Sequence, residues 1–196
     1  MLIVGYYTID TPYEKESINM IKSAVKFNIK TDVRGVPNCG SWQANTQFKA
    51  VFLRNILEEY KHEPYIVYLD CDATIEKYPL LFDEINGDIA VHFRNNKSLL
   101  SGTIWMNPTQ TTFDLLDDWI KRNEEMKQIW DQKNLQDVLY ATKDVNLVKL
   151  PPEYCFIFDS MRKECKKCKP VILHHQASRR LRNKIKPLKQ YKKMFI

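Results

Sequence analysis

Apolar positions come in short blocks separated by polar turns. "LIVGYY" (2–7) predicts a buried first strand. After a loop, Pro12 suits a first helical turn, with Asp10 or Thr11 as cap. Ile18, Ile21 and Val25 then recur at helical spacing, with Met20, Ala24 and Phe27 beside them. "KTDVRGV" (30–36) predicts a second strand, and "PNCGSWQANT" a loop. Phe48, Phe52, Leu53, Ile56 and Leu57 predict a helix ending near Tyr60. "YIVYL" (65–69) is apolar on both faces, as a central strand should be. A helical turn around "YPLLFDEI", strands at 88–93 and 102–107, and a helix with Phe113, Leu116, Trp119 and Ile120 on one face follow. "WDQKNLQDVLYAT" predicts a further helix, and 146–150 and 170–175 late strands. Alternation of strand and helix in the first half predicts an α/β domain with a mixed, mainly parallel central sheet.

In such sheets ligands sit at the carboxyl ends of the strands. The third strand ends in "DCD", so Asp70 and Asp72 lie where a ligand is expected. Two carboxylates at i and i+2 on a turning backbone suit a hard cation, Mg²⁺ or Mn²⁺, carrying substrate phosphates in its shell. With thirteen aspartates in the chain, about one such pair arises by chance, so the context carries the reading. The bland alternative has one aspartate capping the short helix and the other solvated.

The segments "VYLDCDATI", "LLSGTIWMNPT", "WDQKNLQDVL" and "VILHHQASRRLR" occur in this order. As a set they resemble nucleotide-sugar-dependent glycosyltransferases of the GT-A (Rossmann-like) fold, nearest the glycogenin-like, family 8-like group and small phage or bacterial transferases. The resemblance covers roughly residues 1 to 182. It implies that Asp70 and Asp72 are the DxD that binds the metal and the donor diphosphate. His174 matches a late histidine that completes the metal set. His175 is adjacent, on the opposite face of the strand, and the sequence alone leaves open which of the two points inward. Tyr6, Tyr7 and Thr8 would meet the nucleotide, with Tyr7 a stacking platform for the base. Lys49 and Arg54 lie on the helix where similar enzymes place a cation facing the phosphates. Gly102, in "SGTIWMN", would let backbone approach the substrate. Asp131 and Gln132 match a "DQ" pair facing the donor sugar, and Arg94 would pair with Asp131 or bind donor hydroxyls. Similar enzymes follow the late histidine with Gly and "KPW". Here "HQASRRLR" follows, so Arg179 or Arg180 would supply the phosphate-binding cation. The resemblance implies retention of anomeric configuration and a UDP-sugar as favoured donor.

Each of these residues also has a plainer role. In that reading His174 and His175 are satisfied by backbone at a strand end, Asp131 caps its helix, a role compatible with catalysis, and Lys49 and Arg54 are solvated. Trp105, Trp119 and Trp130 are expected in the core, whereas Trp42 sits in a polar loop and could line a site.

Charge changes the picture at the carboxyl end. Met161 to Ile196 hold thirteen basic residues and one acid, against a net charge of +6 for the whole chain. This predicts a body of residues 1–178 and a basic tail, 179–196. The tail suits an anionic acceptor such as DNA carrying hydroxymethylated bases, which would have to be extruded from the stack. A glycan acceptor remains open. Pro187 interrupts an amphipathic helix, which disfavours a membrane surface. Two readings from other classes are a nucleic-acid-binding module built on the tail and a metal-dependent phosphohydrolase using Asp70 and Asp72. Five cysteines, mostly scattered, predict reduced thiols. Cys165 and Cys168, with Cys155 and His175, form a possible zinc set. No apolar run reaches the ~20 residues needed to span a bilayer, and "MLIVGYYTID" lacks a basic leader, so the expected compartment is the cytoplasm.

Overall fold

The computed structural model describes residues 1–161, 165 and 167–181, apart from the side chains of Asp159, Arg180 and Leu181. In chain order it runs β1 (Leu2–Thr8), α1 (Tyr13–Val25), β2 (Lys30–Val36), α2 (Trp42–Glu59), β3 (Ile66–Leu69) and β4 (Ala73–Ile75). A 3-10 turn (Leu80–Asp83) leads to β5 (Ile89–Arg94), β6 (Ser98–Met106), α3 (Gln110–Glu125), α4 (Asp131–Ala141) and β7 (Leu147–Lys149). The chain closes with a second 3-10 turn (Pro152–Cys155), β8 (Phe156–Ile157), α5 (Phe158–Met161), β9 (Ile172–His174) and α6 (Ala177–Leu181).

The six-stranded sheet has the order β2-β1-β3-β6-β5-β7. β1 pairs in parallel with β2 and β3, β5 pairs in parallel with β7, and β6 is antiparallel to both β3 and β5. Five strands therefore point one way and β6 alone is reversed. This is the mixed, mainly parallel sheet expected. A small second sheet, β4-β9-β8, joins the segment after the two aspartates to the carboxyl-terminal part of the chain.

Period-two alternation distributes the strand residues over two cores. Val4, Tyr6, Ile66, Tyr68, Val91 and Ile104 pack beneath α2, α3 and α4. Ile3, Val67, Leu69, Ala90 and Trp105 pack on the other face with Met20 and Ala24 of α1 and with Ile75 and Ile172 of the small sheet. Asp70 continues the parity of Ile66 and Tyr68, so its side chain emerges on the α2 side.

Several boundaries differ from expectation. α2 begins at Trp42, well before Phe48, because the Ser41 hydroxyl accepts the Ala44 N–H at 3.0 Å and caps the helix inside the supposed loop. In α1 the inward face is Ser17, Met20, Ser23 and Ala24, whereas Ile18 and Val25 are exposed. Small residues win this face because α1 lies close to β4: Ser23 Oγ accepts the Ile75 N–H at 2.9 Å. β6 starts at Ser98 rather than 102. The expected boundary at 178/179 falls inside α6, and residues 182–196 of the tail lie outside the described residues.

Candidate active site

The carboxyl ends of β1 and β3 open into a cleft of about 410 Å³. Its floor holds Tyr6, Tyr68, Asp70, Ser101 and Gly102. One wall is the amino-terminal end of α2, where Trp42, Asn45, Thr46 and Lys49 share a helical face. Trp130, Asp131 and Gln132 extend this wall at the start of α4. The facing wall comes from β9 and α6 and presents His174, Gln176, Ser178 and Arg179.

Lys49 organises the floor. It is only 3% exposed, yet its ammonium meets Asp70 Oδ1 at 3.0 Å and Asp131 Oδ2 at 3.3 Å. It also donates to the Ser101 carbonyl and hydroxyl, both at 3.1 Å, and lies 5.0 Å from the centre of the Tyr68 ring. Burial alone would discharge this lysine, but the Asp70 and Asp131 carboxylates more than reverse that and hold it cationic. The Ser101 hydroxyl donates to Asp131 Oδ2 at 2.9 Å, and the Tyr68 hydroxyl to Asp70 Oδ1 at 2.8 Å. Asp131 is thus an anchored carboxylate on the first turn of α4. It does not cap that helix.

Asp70, Asp72 and His174 form one cluster, their ligand atoms all within 4.8 Å of one another. Asp72 is tied to the β9–α6 segment. Its Oδ2 accepts the Ala177 N–H at 2.6 Å, and its carbonyl accepts the His175 N–H at 3.1 Å. The inward histidine is His174: its Nε2 meets Thr103 Oγ1 at 2.9 Å, while its Nδ1 lies 3.9 Å from Asp72 Oδ1. His175 turns away, with Nε2 at 2.8 Å from Thr74 Oγ1.

The titrating groups of the cluster act on one another. Enclosure raises the Asp70 pKa, but Lys49 and His174 outweigh it and hold the group below its ordinary value. Asp72 goes the other way, raised first by burial and then by Asp70. Burial pulls the His174 imidazole down, but the Cys155 thiol, Asp70 and Asp72 raise it to about 9. Two carboxylates and an imidazole nitrogen, with the second ring nitrogen held by a hydroxyl, make a donor set that fits Mn²⁺ or Mg²⁺. Gly102 supplies the room. A Cβ there would lie 2.8 Å from His174 Cε1, 3.1 Å from Nδ1 and 3.2 Å from Asp70 Oδ2. Two buried oxygens facing the cleft, Ser160 Oγ and Gln176 Oε1, have no hydrogen-bond partner among the described residues, as expected of groups that await a ligand.

Residues 46–188 match the nucleotide-diphospho-sugar transferase family. The chain belongs to that family. No curated protein matches the sequence. Among solved structures, a glycosyltransferase involved in glycosylation of the major capsid of PBCV-1 is similar, with a TM-score of 0.67 at 12% identity over 89% of this chain and 92% of that one. The glycosyltransferase GlyE of Streptococcus pneumoniae TIGR4 gives 0.62 at 15% identity over 89% of this chain and 54% of its own. The galactosyltransferase LgtC, solved with donor and acceptor sugar analogs, gives 0.57 at 10% identity over 90% and 87%. At such identities the likeness establishes the fold, GT-A. The family establishes a glycosyltransferase that uses a nucleotide-diphospho-sugar.

In this transferase the cleft gathers Tyr6, Tyr7, Thr8, Lys49, Asp70, Asp72, Arg94, Gly102, Asp131, Gln132, His174 and Arg179. Arg54 does not reach it. Five residues carry a helix through about 140°, so Lys49 and Arg54 cannot share a face. Arg54 instead meets Asp117 at 3.0 Å and Glu58 at 3.3 Å, over the Phe113 ring. Tyr6 is largely a core residue, packed on Phe48, Phe52 and Tyr68, with its hydroxyl on the Asn45 carbonyl at 2.6 Å. The Arg180 side chain lies outside the described residues.

Trp130, expected in the core, is 58% exposed at the cleft, whereas Trp105 and Trp119 are buried as expected. The zinc set does not assemble as expected. Cys155 is buried against His174, His175 is bonded to Thr74, and Cys165 and Cys168 form a disulfide beside Glu153. The three-residue spacing in a turn is what brings these two sulfurs together, where reduced thiols were expected.

Gly102→Ala is expected to weaken metal-dependent nucleotide binding by about tenfold, since the methyl group must displace His174 or Asp70. Thermal denaturation run alongside separates this effect from a loss of fold. Binding unchanged in a folded variant would show that the cluster tolerates the crowding.

Proposed function

We propose that the protein transfers a glycosyl group from a UDP-sugar to an acceptor hydroxyl, with Mn²⁺ or Mg²⁺ held by Asp70, Asp72 and His174. The observation that carries this reading is the convergence of those three side chains at the strand ends of a nucleotide-diphospho-sugar transferase. When bound, the cation would neutralise charge on the donor diphosphate. The remaining chemistry belongs to the chain. Arg179 faces the diphosphate and shares the charge that builds on it as the anomeric carbon–oxygen bond breaks and the electron pair leaves with the nucleotide. The acceptor oxygen bonds to the anomeric carbon, and its proton is released to the departing diphosphate or to solvent. Asp131, fixed by Lys49 and Ser101, presents a stationary anion to the positive charge that develops on the sugar ring. Tyr7 and Thr8 border the nucleoside and Arg94 and Gln132 the sugar.

Calorimetric titration of UDP and GDP, with and without Mn²⁺, tests the reading. The expected result is UDP binding that requires the metal. Equal binding without metal would remove the metal from the proposal, and no binding of either nucleotide would remove the donor assignment.

A nuclease or phosphatase reading gives Asp131, Lys49 and the cleft beyond the acidic cluster nothing to do, and the family match speaks against it. A DNA acceptor rested on the basic tail, most of which lies outside the described residues.

A further inference from the structure

Two tryptophans stand at the cleft with much of their surface in water: Trp42 is 43% and Trp130 58% exposed. They meet edge to face, ring centres 6.4 Å apart and planes at 86°. One large apolar side chain at a surface is unremarkable, but two that form a corner inside a polar cleft are not explained by packing.

The corner is built. Gln43 Nε2 donates to the Lys127 carbonyl at 2.7 Å and to the Ile129 carbonyl at 3.2 Å. Gln47 Nε2 donates to the same two carbonyls at 3.1 and 2.8 Å. Asn123 donates to the Gln47 carbonyl at 3.1 Å, and Asn134 to Asn123 Oδ1 at 2.9 Å. These amides clamp the 126–130 loop to α2, so Trp130 is held against Trp42 from behind. Both rings line the cleft.

The chemistry of this wall selects its occupant. Its other cleft-facing residues near the corner are the neutral Asn45, Thr46 and Gln132. Of the cations that line the cleft on this side, Lys49 is taken up between Asp70 and Asp131, and Arg94 at the end of β5 borders the sugar with Gln132. Anion-binding character lies with Arg179 on α6 and with the cluster of Asp70, Asp72 and His174. A phosphate backbone would find two apolar rings and a net negative floor here. A hexopyranose has the matching form: a C–H face to lie on an indole, and a rim of hydroxyls for amides and Thr46. Trp130 also directly precedes Asp131, the carboxylate set beside the transferred sugar, so a ring seated on it holds its hydroxyls next to the reacting centre.

We propose that Trp42 and Trp130 form the acceptor platform of this transferase and that the acceptor group they seat is an uncharged hexopyranoside. This rests on the glycosyl-transfer reading above.

The test uses the whole protein and methyl glycosides of glucose, galactose, mannose and N-acetylglucosamine as probes, followed by tryptophan fluorescence and saturation-transfer NMR. At least one glycoside should bind. Its apparent Kd should rise about tenfold in Trp130→Ala and in Trp42→Ala and stay within about threefold in Trp130→Phe, while UDP–Mn²⁺ isotherms move far less. Three results overturn the platform: no glycoside binds; UDP affinity falls as much as glycoside affinity, which makes the corner a base-stacking site; or only a duplex carrying 5-hydroxymethylcytosine perturbs the indoles. Failure of the donor reading looks different, since UDP binding would then be absent from the wild-type protein whatever the glycosides do.

Discussion

Lys49→Met is expected to lower the free energy of unfolding by about 3–5 kcal/mol in urea denaturation, the cost of removing one partner from a buried ion pair. The methionine fills the volume of the lysine stem, so packing is little changed and the effect is electrostatic. Asp131, whose side chain is 8% exposed, would keep only the Ser101 hydroxyl among its side-chain partners in the described residues. Asp70, with 39% of its side chain open to the cleft, keeps access to water and adds less. The double variant Lys49→Met/Asp131→Asn should therefore recover more than half of the loss, because the orphaned charge is gone. Asp131→Asn alone should cost less than Lys49→Met. A Lys49→Met protein as stable as the wild type would mean that the three groups are not held as a charged unit. Metal-dependent nucleotide binding should fall as well, since Asp70 would lose the cation that keeps it ionised and oriented.

Asp72→Asn is expected to separate function from stability. Binding of UDP with Mn²⁺ should weaken by about a hundredfold or more, the scale expected when a ligand rather than a supporting group is lost. Without metal the same variant should melt higher, by roughly 2–4 °C. The sign follows from the pKa. Burial, and then Asp70, raise the Asp72 carboxyl above its unfolded value, so ionising it in the folded state opposes folding. That penalty grows as pH rises through the unfolded pKa and persists at neutral pH. Asparagine removes the charge but keeps an oxygen for the Ala177 N–H. The difference in melting temperature between variant and wild type should shrink as pH is lowered toward 4, and it should vanish or reverse when saturating Mn²⁺ is present. A metal-free Asp72→Asn protein that melts lower than wild type at neutral pH would contradict the account of Asp72 as a carboxylate whose ionisation the fold opposes.

The sheet was legible because its strands are short, apolar and doubly buried, and the place of Asp70 followed from the rule that ligands meet α/β sheets at strand ends. The grouping of Asp70, Asp72 and His174 was legible in outline because an Asp-x-Asp and a late histidine keep their order in the chain. What the sequence hid were relations between distant residues. Nothing local shows that Lys49 is buried between two carboxylates: by pattern it is one more lysine on a helix. Arg54, five residues on, looked equivalent, and only the helical angle separates them. Trp130 was misplaced because an aromatic residue before a helix reads as core, whereas here the glutamine clamp behind it faces it outward. Gly102 was read as making room for substrate and does line the cleft, but no local pattern reports that a side chain there would also crowd His174 and Asp70. β4 and β8 have three and two residues and exist only through their pairing with β9, which no local pattern reports.

The tie between Asp72 and the β9–α6 segment has a consequence for biosynthesis. The hydrogen bond from Ala177 to Asp72 spans 105 residues, and His174 arrives on the same segment. The main sheet is complete at β7, so a nascent chain can bury most of its apolar surface while the third member of the acidic cluster is still unmade. His174 thus reaches the cluster on a strand only three residues long, encoded after every strand of the main sheet.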